Sequence, residues 1–380
     1  MPCLGRWMEI LYTAEKRARL RAMQSLDRTL HVYSAFVSPS LALLALLLAT
    51  CSCATPPRSA ELDPGAPAPA LAPMPEAVTS FGAVSHQGWL YVCGGHKGER
   101  HEYSAPMVSG AFHRLRLSEG SRWEPLPATT PAQGAPLAAH GNYIYRVGGM
   151  AARNQPGEKS DLHSHATVSR YNIQQGSWEN FVPLPEPRSS HDALVLEDTL
   201  YVAGGWTLAG ASSKGVWLNT LLKLNLRSPN PRWEILTQPF QRRALALAGV
   251  GDRLFCLGGM DSTGSTLLSV DILNTQSGTW SQGPDLPPGP MKGFGCSAIA
   301  QAGRIYFSGM KGELHSLDPA GSAWTPAGNL QHPRFFHRLV PAGTLQLVAA
   351  GGEDSEGKRN DLEILSPTRP TPASQPAQAQ

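Results

Sequence analysis

The sequence predicts an all-β fold built from six copies of one short unit, and two markers with a common period carry this prediction. A glycine pair closes a short apolar segment five times, and Ser308 stands at the corresponding place in a sixth, degenerate segment. The first glycines of the pairs are Gly94, Gly148, Gly204, Gly258 and Gly351. A tryptophan follows each of the first five segments, at Trp123, Trp178, Trp233, Trp280 and Trp324. The markers recur every 43–56 residues, a period that indicates an internal repeat.

Each repeat is predicted to contain four short antiparallel strands, called a to d. In the third repeat these are residues 191–196, residues 200–205 ending at the glycine pair, residues 220–225, and a strand around Trp233. Short turns with Gly, Asp or Asn separate them in every repeat. This phased pattern resembles the kelch family over residues 67–366, and the resemblance implies a six-bladed kelch β-propeller with four-stranded antiparallel blades.

The glycine pairs are predicted to serve the fold rather than a ligand. Each pair ends strand b, where a neighbouring backbone or ring must approach closely, and we expect Trp233 to be the partner of Gly204 and Gly205. The last repeat lacks strand d and its tryptophan. An N-terminal strand from about residue 67 is therefore predicted to complete the last blade and close the ring, which removes an exposed strand edge.

Residues 1–50 are predicted to be a signal peptide of the lipoprotein type, with Met23 as an alternative start. A basic stretch precedes a nine-residue apolar run, Leu41–Ala49, which is too short to span a bilayer. The following "LATC" resembles a bacterial lipobox, which implies lipidation of Cys51; Cys53, or ordinary cleavage nearby, is the alternative. We therefore expect an exported lipoprotein of the bacterial cell envelope, periplasmic or on the outer membrane.

Composition excludes several other classes of protein. Residues 51–66 form a Pro/Ala-rich tether and residues 367–380 a tail expected to be disordered. The formal net charge of +3 resides in the first 50 residues, so no basic stripe indicates nucleic-acid binding. Cys93 and Cys256 read as buried thiols, and no Cys/His spacing predicts a metal. We expect a monomer with no cofactor and no metal.

The resemblance places the d–a and b–c loops on one face, around the mouth of a central channel. Counting back about sixteen residues from each glycine position puts a cation at one rim position of four consecutive blades: Arg188, Arg242, Lys292 and Arg334. Arginine forks suit carboxylates, sulfates and phosphates, so these residues are predicted to bind an anionic ligand. The alternative is that they pair with loop carboxylates of the protein itself, such as Glu353 or Asp354.

The long b–c loops of the first three blades supply Tyr103, Trp206 and Trp217, which are predicted to stack on a ligand. No nucleophile or general-base pair appears, so no residue is predicted to be catalytic; Glu353, His191 and His337 are the nearest candidates. The expected function is a binding module for an anionic glycan or polypeptide at the mouth. The alternative is an enzyme of the sialic-acid mutarotase (N-acetylneuraminate epimerase) type, with the arginines as a carboxylate clamp.

Overall fold

The computed structural model describes residues 71–368, and over this range the chain forms 29 β-strands and one three-residue 3₁₀ helix, Ala105–Met107. Blade 1 contains β1 (Gly82–His86), β2 (Trp89–His96), β3 (Val108–Arg116) and β4 (Trp123–Leu126). Blade 2 contains β5 (Leu137–His140), β6 (Tyr143–Val147), a loop hairpin of β7 (Met150–Ala152) and β8 (Leu162–Ser164), then β9 (Val168–Asn172) and β10 (Ser177–Asn180). Blade 3 contains β11 (Asp192–Leu196), β12 (Thr199–Ala203), a loop hairpin of β13 (Trp206–Thr207) and β14 (Val216–Trp217), then β15 (Thr220–Asn225) and β16 (Glu234–Thr237).

The second half of the ring repeats this order. In blade 4, β17 (Arg242–Arg243) pairs with β20 (Met260–Asp261), and the blade itself is β18 (Ala246–Val250), β19 (Arg253–Leu257), β21 (Val270–Asn274) and β22 (Trp280–Gln282). Blade 5 is β23 (Ser297–Gln301), β24 (Arg304–Ser308), β25 (Glu313–Leu317) and β26 (Trp324–Asn329). Blade 6 has three strands within the described residues: β27 (Arg338–Ala342), β28 (Gln346–Ala350) and β29 (Leu362–Leu365).

The innermost strands build the central channel. β1, β5, β11, β18, β23 and β27 pack against one another in this order, and β27 returns to pack against β1. Every strand pair within a blade is antiparallel, for example β11 with β12 and β12 with β15. The prediction of a six-bladed kelch-type β-propeller is therefore confirmed.

The glycine pairs bring successive blades into close contact. Gly204 and Gly205 have φ of +71° and +89°. A Cβ on Gly204 would overlap the Leu245 side chain and lie 2.7 Å from the Arg242 carbonyl oxygen, both in the next blade. The structural role is thus supported, but the expectation that Trp233 is the partner is wrong. The indole Nε1 of Trp233 instead donates to the Val182 carbonyl oxygen, 3.2 Å away.

An equivalent tryptophan hydrogen bond in blade 1 places the first described residues next to blade 6. Trp233 bonds to a residue that follows strand d of the preceding blade, and Trp123 bonds to the Ala72 carbonyl oxygen at 3.0 Å. Ala72 therefore lies where the residue after strand d of blade 6 belongs. Its neighbour Met74 donates its amide to the Asn360 carbonyl oxygen, just before β29, at 2.7 Å. The predicted strand itself begins outside the described residues.

The described residues contain no helix long and apolar enough to cross a membrane. The predicted signal peptide, the lipidation at Cys51 and the tether lie outside the described residues, as does the tail from residue 369 onward. Cys93, Cys256 and Cys296 are buried free thiols. Burial raises the pKa of all three, that of Cys93 to about 11 and that of Cys296 to about 12, so the thiols are protonated at physiological pH.

Candidate ligand-binding mouth

The d–a and b–c loops meet at one end of the channel, which we call the mouth. Residues of the two loop types pair directly there: Ser189 bridges to Trp206, and Phe335 bridges to Glu353. Thr79 makes the same kind of bridge to His96 in blade 1. These paired residues therefore form the wall of the mouth, on the face where the sequence analysis expected the two loop types.

Arg188 and Arg242, two of the predicted rim residues, are turned into their own blades. Both side chains are at most 1% exposed. Arg188 donates to the Thr220 carbonyl oxygen at 2.8 Å and to the Glu186 carboxylate at 3.0 Å. Arg242 donates to the Ser269 carbonyl oxygen at 2.9 Å and forms an ion pair with the buried carboxylate of Asp271. These guanidinium groups hold strands b and c together rather than facing the channel.

Arg334 follows the same pattern in blade 6. Its side chain is fully buried, donates to the Gly351 carbonyl oxygen at 3.2 Å and pairs with Asp361 at 2.9 Å and with Glu363. The arginines thus adopt the second alternative, pairing inside the protein, but with other carboxylates than expected. Glu353 instead pairs with Arg100 at 2.6 Å. Ligand contact by these three arginines is not supported by their burial.

Lys292 is not equivalent to the three arginines. The amide of Gly259 donates to the Gly293 carbonyl oxygen at 2.8 Å, just as the amide of Gly205 donates to the Arg242 carbonyl oxygen at 2.7 Å. Gly293 therefore occupies the rim position, and Lys292 is exposed beside it. The count from the sequence was wrong by one residue. Ser308 pairs with Ser297, just as Ala203, the residue before the glycine pair of blade 3, pairs with Asp192. Gly309, not Ser308, is the counterpart of the first glycine.

Arg243, which the sequence analysis passed over, faces the mouth. Its guanidinium carbon lies 4.4 Å from the ring centroid of Trp206, 5.6 Å from that of Trp217 and 5.4 Å from that of Phe294. Its Nη2 reaches only the sulfur of Met260, at 3.4 Å, and its buried Nε has no hydrogen-bond partner. Among residues 71–368, no carboxylate lies within 4.0 Å of this guanidinium. Burial lowers the pKa of Arg243 from its ordinary value.

Two of the predicted stacking residues lie beside Arg243. Trp206 packs on Trp217 with ring centroids 5.6 Å apart. Tyr103 packs on His96 at 5.1 Å, and although burial raises the pKa of Tyr103, the nearby charge of Arg243 acts in the opposite direction. The mouth therefore combines Trp206, Tyr103 and one cation without an acidic partner.

The two histidines are framework residues of the ring. His191 is 3% exposed and His337 1% exposed, and none of their ring nitrogens has a hydrogen-bond partner. Burial lowers the pKa of both, that of His337 to about 3, so both rings are neutral at physiological pH. The equivalent position of blade 4 holds Leu245, which indicates a packing role. Nothing in their contacts prepares either ring for proton transfer.

Glu353 lies at the mouth, but its carboxylate is already engaged. The side chain is 9% exposed and accepts from the Nε of Arg100 at 2.7 Å. Within the described part of the chain, no group of three or more His, Cys, Asp or Glu side chains is arranged to hold a metal ion.

Fold and mouth together define a kelch-type six-bladed β-propeller with the d–a and b–c loops on one face. The model of the KLHDC2/KLHL20/DRC7 Kelch-repeats domain matches residues 134–352, more than half of the chain. The protein therefore belongs to the kelch-repeat family.

Relatives share this domain at low identity. Kelch-like protein 34 of Homo sapiens is 24% identical over 189 residues, which cover 46% of this chain and 29% of that protein. Kelch-like protein terF of Aspergillus terreus is 25% identical over 244 residues, which cover 63% and 50% of the two chains. The chain thus spans half or less of the length of these two relatives. The solved structure of YjhT superposes with a TM-score of 0.60 at 17% identity, covering 78% of this chain and 99% of YjhT, which shows the fold alone.

Proposed function

We propose that this protein is an exported binding module, anchored by a lipid on Cys51, whose mouth holds an anionic group of a polypeptide or an acidic glycan. The observation that carries this proposal is Arg243. The three arginines predicted at the rim, Arg188, Arg242 and Arg334, have carboxylates of the protein within ion-pair distance, whereas Arg243 has a thioether sulfur.

A half-buried guanidinium without an acidic partner is costly to maintain, because the aromatic rings and the thioether around it replace only part of the hydration that burial removes. A carboxylate or sulfate from a ligand would supply the missing charge in the bidentate geometry that arginine favours. Trp206 and Phe294 flank the guanidinium and limit its movement, so its donors are held in place before a ligand arrives.

The surroundings of Arg243 fit a partner that lies across the mouth. Aromatic rings continue from Phe294 to Phe336, with centroids 5.3 Å apart, and on to Phe335 at 4.8 Å. Val216, which precedes Trp217 in the chain, and Met291, three residues before Phe294, are 63% and 38% exposed. Aromatic surface next to a fixed cation is suited to the apolar part of a peptide or the face of a sugar ring.

Binding by full-length protein to arrays of acidic peptides and acidic glycans tests the proposal. For any ligand found, Arg243→Met should weaken binding roughly 30-fold or more, because loss of one partner of a buried ion pair costs about 2–5 kcal/mol. Lys292→Met, which removes an exposed cation outside the mouth wall, should leave the affinity unchanged. Equal affinity of the wild type and Arg243→Met would contradict the proposal.

The mutarotase alternative requires catalysis in addition to binding. Its carboxylate clamp would have to be Arg243, and its acid–base residue Glu353 would have to leave Arg100. Exchange of the anomers of a bound acidic sugar, followed by NMR, separates the two functions: unaltered exchange rates leave the binding module, and acceleration that Glu353→Gln abolishes favours the enzyme.

Anchoring is tested separately from binding. Cys51→Ala should move the protein from the membrane fraction to the soluble fraction without loss of folding, because it removes the acylation site. Wild-type protein in the soluble fraction without detergent would contradict a lipid anchor.

A further inference from the structure

One ion pair crosses the channel axis. At the position four residues after each rim position, the six blades carry Gly82, Pro136, Asp192, Ala246, Ser297 and Arg338. The two charged members belong to blades 3 and 6, which are opposite in a six-membered ring. Arg338 Nη1 donates to Asp192 Oδ1 across the channel at 3.0 Å.

The ion pair also engages two more blades. Arg338 Nε donates to the Phe81 carbonyl oxygen of blade 1 at 3.2 Å, and Asp192 Oδ2 accepts the Leu247 amide of blade 4 at 2.9 Å. This bridge divides the channel. On the side away from the mouth lies a chamber of about 240 Å³, lined by the innermost strands.

On the mouth side lies a small cavity, which we call the cup. Its edge is a ring of one residue from each blade, all with φ between +51° and +65°: Ser80, Gly134, Ser190, Ala244, Gly295 and Phe336. Backbone hydrogen bonds link neighbours around this edge. The Ala244 amide donates to the Ser190 carbonyl oxygen at 2.7 Å, and the Phe336 amide donates to the Gly295 carbonyl oxygen at 2.7 Å. The cup has a volume of about 50 Å³, and Arg338 contributes to its lining.

The cup holds more hydrogen-bond donors than acceptors. Both carboxylate oxygens of Asp192 are occupied by the bonds described above. Arg338 Nη2 and the hydroxyls of Ser80 and Ser190 make no hydrogen bond to any residue of the described range 71–368, and the Arg338 side chain is 22% exposed. His191 and His337, whose ring nitrogens are also without partners, complete the lining.

We propose that the cup binds one carboxylate group, with Arg338 Nη2 as the charged donor and the hydroxyls of Ser80 and Ser190 as neutral donors. A cavity of about 50 Å³ has room for about three or four water molecules. This space fits the heavy atoms of a carboxylate group, but it is too small for a sugar ring or for a side chain with a bulky end. The axial bridge blocks deeper entry, so the group must be the tip of its molecule.

This inference rests on the proposed function and makes it more specific. Arg243 directly precedes Ala244, a residue of the cup's edge, so a ligand at the mouth wall lies above the cup. A ligand that occupies both places carries two acidic groups, one for Arg243 and one for Arg338. A diacidic ligand of this kind is predicted to bind more tightly than a monoacid of the same size.

Acetate is the probe, because it presents the carboxylate with a single methyl group. We titrate full-length protein with ¹³C-acetate and follow the acetate signals by NMR. The double variant Ser80→Ala/Ser190→Ala should weaken acetate binding about 5- to 160-fold, which corresponds to the loss of two neutral hydrogen bonds of about 0.5–1.5 kcal/mol each. Ala244 already occupies the same backbone conformation in blade 4, so alanine is tolerated there.

A second variant works in the opposite direction. Asp192→Asn preserves the shape of the bridge but removes the carboxylate that competes for Arg338, so acetate binding should become stronger. The serine variants keep the test decisive if Asp192→Asn fails to fold, which circular dichroism would show.

Arg243→Met separates this inference from the proposed function. It should weaken binding of the mouth ligand as stated above and leave acetate binding in the cup unchanged. If acetate binding is lost in Arg243→Met but is unchanged in the serine and Asp192 variants, the proposed carboxylate site in the cup is wrong and Arg243 is the anion site. Absence of acetate binding to the wild type at concentrations up to the hundred-millimolar range would also overturn it.

Discussion

Replacement of Arg242 distinguishes an internal ion pair from a ligand site, the two roles that its sequence position allows. The guanidinium donates to the carbonyl and hydroxyl oxygens of Ser269 at 2.9 and 2.8 Å, pairs with Asp271 and packs on the ring of Phe240, 4.0 Å from its centroid. Arg242→Met keeps the apolar stem and removes the charge. Asp271 is then left with Gln282, 2.6 Å away, as its remaining side-chain partner.

The expected loss follows from the burial of both groups. The Arg242 and Asp271 side chains are 1% and 6% exposed, so solvent cannot replace the missing charge. Breaking a buried pair from one side costs about 3–5 kcal/mol, which for a folded domain of about 300 residues, with an unfolding entropy of about 2.1 cal/mol/K per residue, lowers the melting temperature by roughly 5–8 °C. Removing both charges with Arg242→Met/Asp271→Leu should restore most of the loss, because no buried charge is then left alone.

Thermal unfolding followed by circular dichroism measures the three proteins, with Arg243→Met as the neighbouring control. The control has no carboxylate to strand and should unfold within a few degrees of the wild type. Ligand binding at the mouth should persist in Arg242→Met below its unfolding transition. A protein with Arg242→Met that keeps its melting temperature and loses the ligand would refute the reasoning and return Arg242 to the ligand site.

Three further predictions concern stability. Arg146→Leu should raise the melting temperature, because Arg146 is only 4% exposed and its Nε and Nη2 have no hydrogen-bond partner. Cys256 occupies the equivalent position of blade 4, so an uncharged residue fits there. A lower melting temperature of Arg146→Leu would contradict this prediction. The folded protein should lose stability as the pH falls from about 6.5 towards 3, by up to about 1.4 kcal/mol per unit, because burial lowers the pKa of His337 to about 3 while the unfolded chain binds the proton near 6.5; denaturant titrations should show a flatter pH dependence for His337→Leu. Truncation to residue 78 should lower the melting temperature by many degrees, and deletion of residues 54–62 should not; equal stability of the two would contradict an N-terminal closing strand.

The fold could be predicted from the sequence because the same constraint recurs in every blade. Strand c of the third repeat was predicted as residues 220–225 and forms Thr220–Asn225; strand b was predicted as 200–205 and forms Thr199–Ala203. Close approach of the next blade requires glycine at the end of strand b, so the glycine pairs mark the register directly. The one error of register occurred at Ser308, where the second glycine of the pair is replaced by Met310 and a pairing partner is needed to fix the count.

The site could be predicted only in part, because its chemistry depends on side-chain direction. Arg242 and Arg243 are adjacent, equally charged and indistinguishable by composition. Alternation along the short strand Arg242–Arg243 sends the first side chain into the blade and the second towards the mouth. A repeated arginine attracts attention in a sequence, yet repetition favours a framework role. The residue that differs among blades is the better indicator of a ligand.

This distinction extends to the channel axis. A position shared by all blades tolerates small or neutral residues wherever packing alone decides, as Gly82, Ala246 and Ser297 show. Asp192 and Arg338 break that rule in opposite blades and compensate each other, so the channel is closed by a pair that leaves one guanidinium nitrogen towards the cup. Arg243 breaks the corresponding rule at the mouth wall without compensation. The departures from the repeat, rather than the repeat itself, therefore identify where this propeller is adapted to a partner: one cation above the cup and one beneath it, on a path that ends at the axial bridge.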